Sequence, residues 1–150
     1  MDIFTAVKTV YSKYATFSGR ASRAEFWYFF LFTLIAGAAL SAIDATFASA
    51  FSIANILPNL AVAVRRLHDT NRSGKLIIAL ILAEVLLFVF IGVSFVAGIA
   101  GALGGDSSVA TGGGIGVLLG VLLFLVLTVY SIYLMAKRGD AGPNRYGDPA

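Results

Sequence analysis

Three short segments hold most of the side chains able to do chemistry. Arg20 and Arg23 lie in Phe17-Ser18-Gly19-Arg20-Ala21-Ser22-Arg23-Ala24-Glu25-Phe26-Trp27. Arg65-Arg66-Leu67-His68-Asp69 is followed by Arg72-Ser73-Gly74, and Gly142-Pro143-Asn144-Arg145-Tyr146-Gly147-Asp148-Pro149 lies near the end of the chain. Guanidinium forks match the oxygens of phosphate and carboxylate groups. The candidate anion-binding set is therefore Arg20, Arg23, Arg65, Arg66, His68, Asp69, Arg72, Asn144, Arg145 and Tyr146; equally, the arginines could serve only to set topology, with Glu25, Asp69 and Asp140 pairing with some of them. His68 adds a group that titrates near neutral pH, and Asp69 beside it can orient the ring or pair with an arginine. One histidine and one carboxylate fall short of the three or four ligands of a stable metal site, so no metal is expected. There is no cysteine, which excludes thiol nucleophiles, thiolate metal sites and disulfides. The glycines of Gly112–Gly116 lack the lysine and preceding strand of a nucleotide loop. Neither a cofactor nor a nucleic-acid partner is expected.

A second candidate is a single residue. Glu84 stands in a long apolar run, nine positions past Lys75. A carboxylate in hydrocarbon costs several kcal/mol unless it is paired or protonated. Asn55, Asn59, Thr33, Thr128 and Ser131 fall at comparable depths, about 9–15 Å along regular helices. Such a layer could relay a proton or hold a small cation. It could equally tie helices together by hydrogen bonds, the reading favoured for a lone carboxylate.

The elements that must position these groups follow from the charge pattern. The chain has 150 residues, 59% hydrophobic and 13% charged, too little polar surface for a globule in water. Phe26 to Ile43 carries no charge, and after Asp44 none appears until Arg65. A spanning helix takes about 20 apolar residues, so this stretch holds two crossings and a tight turn at Asp44. Leu76 to Ala136 contains only Glu84 and Asp106. The expected fold is an all-α, four-helix transmembrane bundle forming one domain, 1–150. Its spans are 26–43, 46–64, 76–100 and 115–136, with a tail at 137–150. Gly101–Gly116 reads as a flexible outer loop. All eleven Lys and Arg fall on one side, with Asp44 and Asp106 opposite, which predicts both termini in the cytoplasm. Ala48-Ser49-Ala50 matches a signal-peptidase pattern, but the apolar run before it exceeds a signal-peptide core of about 7–15 residues.

Local signals refine the scheme. Ile3, Phe4, Val7, Val10, Tyr11, Tyr14 and Phe17 recur at helical spacing, so 1–17 reads as an amphipathic helix lying in the interface or packed on the bundle. Ser22 and Glu25 form a capping-box pattern, with Glu25 able to reach back to Ser22. Pro58 should kink the second span, and some neighbour must then satisfy the carbonyl it frees. Gly116/Gly120 and Ala38/Ala42 have the spacing of close helix contacts.

Together, the three motifs in this order resemble the bacterial inner-membrane family known as domain of unknown function 805. The resemblance runs from Phe17 almost to the end of the chain. In that family Ser-Gly is often followed by tryptophan, where this chain has Lys75. The resemblance implies an inner-membrane location and four helices, and brings no established activity. The expected function is a non-enzymatic membrane module. Its basic cytoplasmic face would bind anionic lipid headgroups or a membrane-protein partner, with homo-oligomers allowed. The alternatives are a small transporter or channel subunit using Glu84, and an enzyme acting on lipid headgroups with His68 as acid or base.

Overall fold

The computed structural model describes residues 1–150 and contains five helices and no strand. They are α1 (Ile3–Ser12), α2 (Arg23–Ile43), α3 (Ala45–Asp69), α4 (Lys75–Gly104) and α5 (Ser107–Ala136). The last four are long and apolar enough to cross a membrane. At ~1.5 Å per residue the shortest is about 32 Å long, matching a hydrocarbon core of about 30 Å. The sequence reads as a single domain, 1–150. Within it, contacts cluster into two compact units, 1–77 with 135–150, and 78–134.

In the first unit, Asp44 alone separates α2 from α3. Its amide donates to Leu40 O, closing α2, and its carboxylate accepts from the Thr46 and Phe47 amides at the start of α3. Hydrogen bonds from the Thr46 hydroxyl and from those two amides hold the Asp44 carboxyl below its usual range. The core consists of Val10, Ala21, Phe29 and Val62, with Val7, Phe26 and Phe32 packed around it. The expected 1–17 helix is helical only over Ile3–Ser12, where Asp2 caps the first turn by accepting from the Thr5 amide. Ala6 and Val10 face inward, whereas Phe4 is 84% exposed.

Pro58 lies inside α3 and has no amide hydrogen to offer Ala54 O, four residues back. The Tyr14 hydroxyl donates to that carbonyl at 2.5 Å. Beside it, the Tyr11 hydroxyl donates to Asn55 Oδ1 at 2.9 Å, and the Tyr11 ring packs edge-on against Phe29 and Phe32. The segment around α1 thus supplies the partner for the carbonyl that Pro58 frees.

The second unit corrects one expectation. Gly101–Gly116 is not a flexible loop: α4 runs to Gly104 and α5 starts at Ser107. Only Gly105, at φ +75°, and Asp106 separate them, and Asp106 caps α5 by accepting from the Ser108 and Val109 amides. The glycines sit where the two backbones touch. A Cβ on Gly101 would lie 2.5 Å from the Ala110 amide, and one on Gly113 would overlap the backbone of Gly98. Each glycine costs a helix up to about 1 kcal/mol relative to alanine. In lipid that cost is offset by the close approach of two helices. Gly116 and Gly120 belong to the same seam, against Ser94 and Ile91. Ala38 and Ala42 remain exposed.

Candidate functional site

The last turn of α3 carries Arg65-Arg66-Leu67-His68-Asp69, and all five residues are buried. Neighbours on a helix point ~100° apart, so the two arginines serve different partners. Arg65 Nη1 donates to Glu25 Oε1 at 2.6 Å. Glu25 therefore does not reach back to Ser22 as the capping-box pattern suggested. Only half of the box forms, with Ser22 Oγ accepting from the Glu25 amide. The buried guanidinium of Arg65 offers a stronger partner than a backbone amide. Its Nε and Nη2 have no hydrogen-bond partner.

Asp69 is the hub of the second cluster. Its Oδ1 accepts from Arg20 Nε at 2.9 Å, and its Oδ2 accepts from Arg66 Nη1. Arg66 spends its other donors on the Met135 and Lys137 carbonyls, at the C-terminal end of α5. Those carbonyls have no intrahelical partner, and a cation there complements the helix dipole. Arg20 gives its remaining donors to the tail: Nη1 to Gly142 O at 2.8 Å and Nη2 to Asp140 O at 2.5 Å. The Asp140 amide returns a hydrogen bond to Asp69 O at 2.8 Å. Gly139 is required here, because a Cβ would overlap the Asp69 carboxylate.

The tail closes over this cluster. Asn144 Nδ2 donates to His68 O at 3.0 Å and to Asp140 Oδ2 at 3.1 Å. The Tyr146 ring stacks on the His68 imidazole, with centroids 3.7 Å apart and planes within 3°. Arg145 lies over the Tyr146 ring and donates to Asn71 O. His68 Nδ1 is 3.1 Å from Gly19 O. A Cβ on Gly74 would press on Val64 and approach His68 Nε2, so the Arg72-Ser73-Gly74 motif also closes against α3.

The three motif regions therefore converge. Arg20, Arg66, His68, Asp69, Asn144, Arg145 and Tyr146 form one clasp, while Arg65 pairs separately with Glu25. The charges of Arg20, Arg65 and Arg66 are turned inward; Arg23 is exposed and Arg72 half-buried. Sequence reasoning missed the carbonyls of Met135, Lys137, Asp140 and Gly142 as the arginines' partners. Gly139 was the one readable hint of the close approach. It also missed Tyr11 and Tyr14 as polar partners of α3, for which two tyrosines three apart were the signal.

The intramembrane candidates fall in different units, Asn55 and Asn59 in the first and Glu84 in the second. Asn55 is 4% exposed. Its Nδ2 donates to Phe51 O, and Asn59 Nδ2 donates to Asn55 O. In the other unit, Glu84 is half-buried and its Oε1 accepts from Ser131 Oγ at 3.2 Å, tying α4 to α5.

An all-helical chain with four membrane-length helices belongs to the class of multi-span membrane proteins. The chain is a member of the family described as Protein of unknown function (DUF805), whose model matches residues 14–148. It is similar to the inner membrane protein YhaI of Escherichia coli strain K12, with 42% identity over 73 residues, 44% of this chain and 62% of that protein. YhaI of Escherichia coli O157:H7 gives the same figures. The match thus spans less than two thirds of the length of these relatives. No solved structure matches.

Proposed function

We propose that this protein is a non-enzymatic module of the bacterial inner membrane, with both termini cytoplasmic, whose exposed cations bind anionic lipid headgroups. The observation that carries this reading is the division of labour among the basic residues. Arg20, Arg65 and Arg66 are consumed inside the fold, whereas Arg23, Lys75, Lys137, Arg138 and Arg145 are exposed near the same helix ends. In this reading the clasp leaves these cations on the surface, free to meet headgroup phosphates. The relatives' name supports the inner-membrane location. The distribution of Lys and Arg supports the orientation, and the exposed Phe4 supports an interfacial position for α1.

Native mass spectrometry from mild detergent tests the binding. Replacing Arg23, Lys137 and Arg138 with glutamine is expected to strip retained anionic lipid, while replacing Lys8 and Lys13 leaves most of it. Equal losses would reduce the effect to diffuse electrostatics. Reporter fusions after Ala150 and near Ser108 test the orientation, and should read cytoplasmic and external respectively.

The Ser131 hydrogen bond favours Glu84 as a tie between helices rather than a carrier site. Ion flux that is lost in a Glu84→Gln protein of unchanged stability would reverse that judgement. The burial of His68 beneath Tyr146 likewise favours a positional role over acid–base catalysis.

A further inference from the structure

A groove of about 230 Å³ opens between α2 and α3, lined by Phe30, Thr33, Phe51, Ser52, Asn55 and Asn59. Ser52, Asn55 and Asn59 recur at positions i, i+3 and i+7, which is one face of a helix. Asn59 lies about 9 Å and Ser52 about 20 Å along α3 from Arg65, well inside the hydrocarbon if Arg65 marks its edge. Polar groups facing lipid there have no water to satisfy them. Asn55 Oδ1 already accepts from Tyr11, and Asn55 Nδ2 donates to Phe51 O. Asn59 Oδ1 and the Ser52 hydroxyl make no hydrogen bond within the chain.

The chemistry of these free atoms limits the occupant. The groove offers an unpaired acceptor, Asn59 Oδ1, together with donors from the Asn59 amide and the Ser52 hydroxyl. It contains no charge. An occupant must therefore both donate and accept, which excludes a neutral ring bearing only carbonyl oxygens. It must do so too deep for a phosphate or a glycerol ester. A carboxamide is self-complementary in this sense: two of them exchange paired N–H···O bonds. Copies of one chain inserted with one topology also place every residue at the same depth. A two-fold axis along the membrane normal then sets Asn59 opposite Asn59 and Ser52 opposite Ser52.

We propose that this polar groove is the contact between two copies of the chain, paired through Asn59 and Ser52. The contact is independent of the headgroup-binding reading and rests only on membrane insertion with a single topology.

The cysteine-free sequence makes the test direct. Ser52→Cys in native membranes should form a disulfide-linked dimer under mild oxidation, since Cα atoms within about 4.4–6.8 Å can be bridged. Ile53→Cys, the next position and 68% exposed, should not. Adding Asn59→Leu to Ser52→Cys should weaken dimerisation by about tenfold, the worth of two interhelical hydrogen bonds. Asn59→Gln, which keeps the carboxamide, should retain most of it. A thermal melt of each variant separates lost pairing from lost folding. Equal cross-linking at positions 52 and 53, or an Asn59→Leu protein that dimerises unchanged, would overturn the proposal. So would native spectra of a monomer carrying a small neutral molecule released by Asn59→Leu, which would assign the groove to a ligand instead. Carbonate extraction of the wild type would overturn membrane insertion itself, a separate failure.

Discussion

The Arg65–Asp69 end of α3 and the seam between α4 and α5 hold helices by opposite means. At Arg65–Asp69, long charged side chains reach across several ångströms to carboxylates and to carbonyls far away in sequence. Along the seam, glycines let backbone meet backbone at Gly98–Gly113 and Gly101–Ala110, and take the Ser94 and Ile91 side chains at Gly116 and Gly120. Both solutions answer the same difficulty: lipid is as apolar as leucine, so burying apolar surface gives helices little reason to associate. The clasp is specific and fragile, because each charge depends on its partner. The seam is tolerant of polarity and intolerant of volume.

The largest expected effect strikes the clasp. Asp69→Ala leaves Arg20 and Arg66 buried without a carboxylate and should destabilise the fold by about 3–5 kcal/mol. Thermal melting in detergent, or the folded fraction on size exclusion, measures this. A drop below 1 kcal/mol would mean that the tail carbonyls alone satisfy both arginines. Next comes the seam. Gly113→Ala should destabilise by about 1–3 kcal/mol through overpacking. Gly114→Ala, one residue on and with nothing near its would-be Cβ, should stabilise by about 0.5–1 kcal/mol. Equal signs for the two would refute the backbone contact. Tyr14→Phe leaves the Ala54 O freed by Pro58 without its partner, with an expected loss of about 1–3 kcal/mol.

The smallest effect compares the two turns. Asp44 and Asp106 each cap a helix, and hydrogen bonds from the helix start, that of the Ser108 hydroxyl foremost at Asp106, hold both carboxyls below the ordinary value of 3.8. A depressed folded-state pKa means that each cap stabilises the fold above pH 3.8 and loses that contribution as pH falls through its folded value. Asp44→Asn and Asp106→Asn should each flatten the acid limb of a stability–pH curve. An unchanged limb in both would show that neither cap is formed in the folded state.

The contrast also explains what the sequence could reveal. Charge-free runs and basic flanks fix the four helices, because bilayer thickness and the cost of charge are properties of the solvent and not of the partner. Pro58 announces a free carbonyl for a local reason, the missing amide hydrogen, and Tyr14 meets it. Gly101–Gly116 misleads because glycine is costly in an isolated helix, and the compensation lies in a second helix. Arg65 and Arg66 look equivalent in the sequence. Only the helical rotation between them sends one to Glu25 and the other to Asp69 and the end of α5. That the motifs converge follows from topology. Which charges turn inward depends on distances that no spacing encodes.

Arg20 finds Gly142 O across 122 residues of chain. At translation rates of about 5–20 residues per second, Arg20 waits roughly 6–25 s for that acceptor to be made. Arg66 and Asp69 likewise wait for residues 135–140. Until then the guanidinium groups of Arg20 and Arg66 have Asp69 but lack the carbonyl acceptors of the finished fold, and water or headgroups must stand in for them. The clasp can therefore close only after residues 135–142, at and beyond the end of the last long helix, have been made. A chain cut before residue 135 would leave Arg20 and Arg66 without these four acceptors.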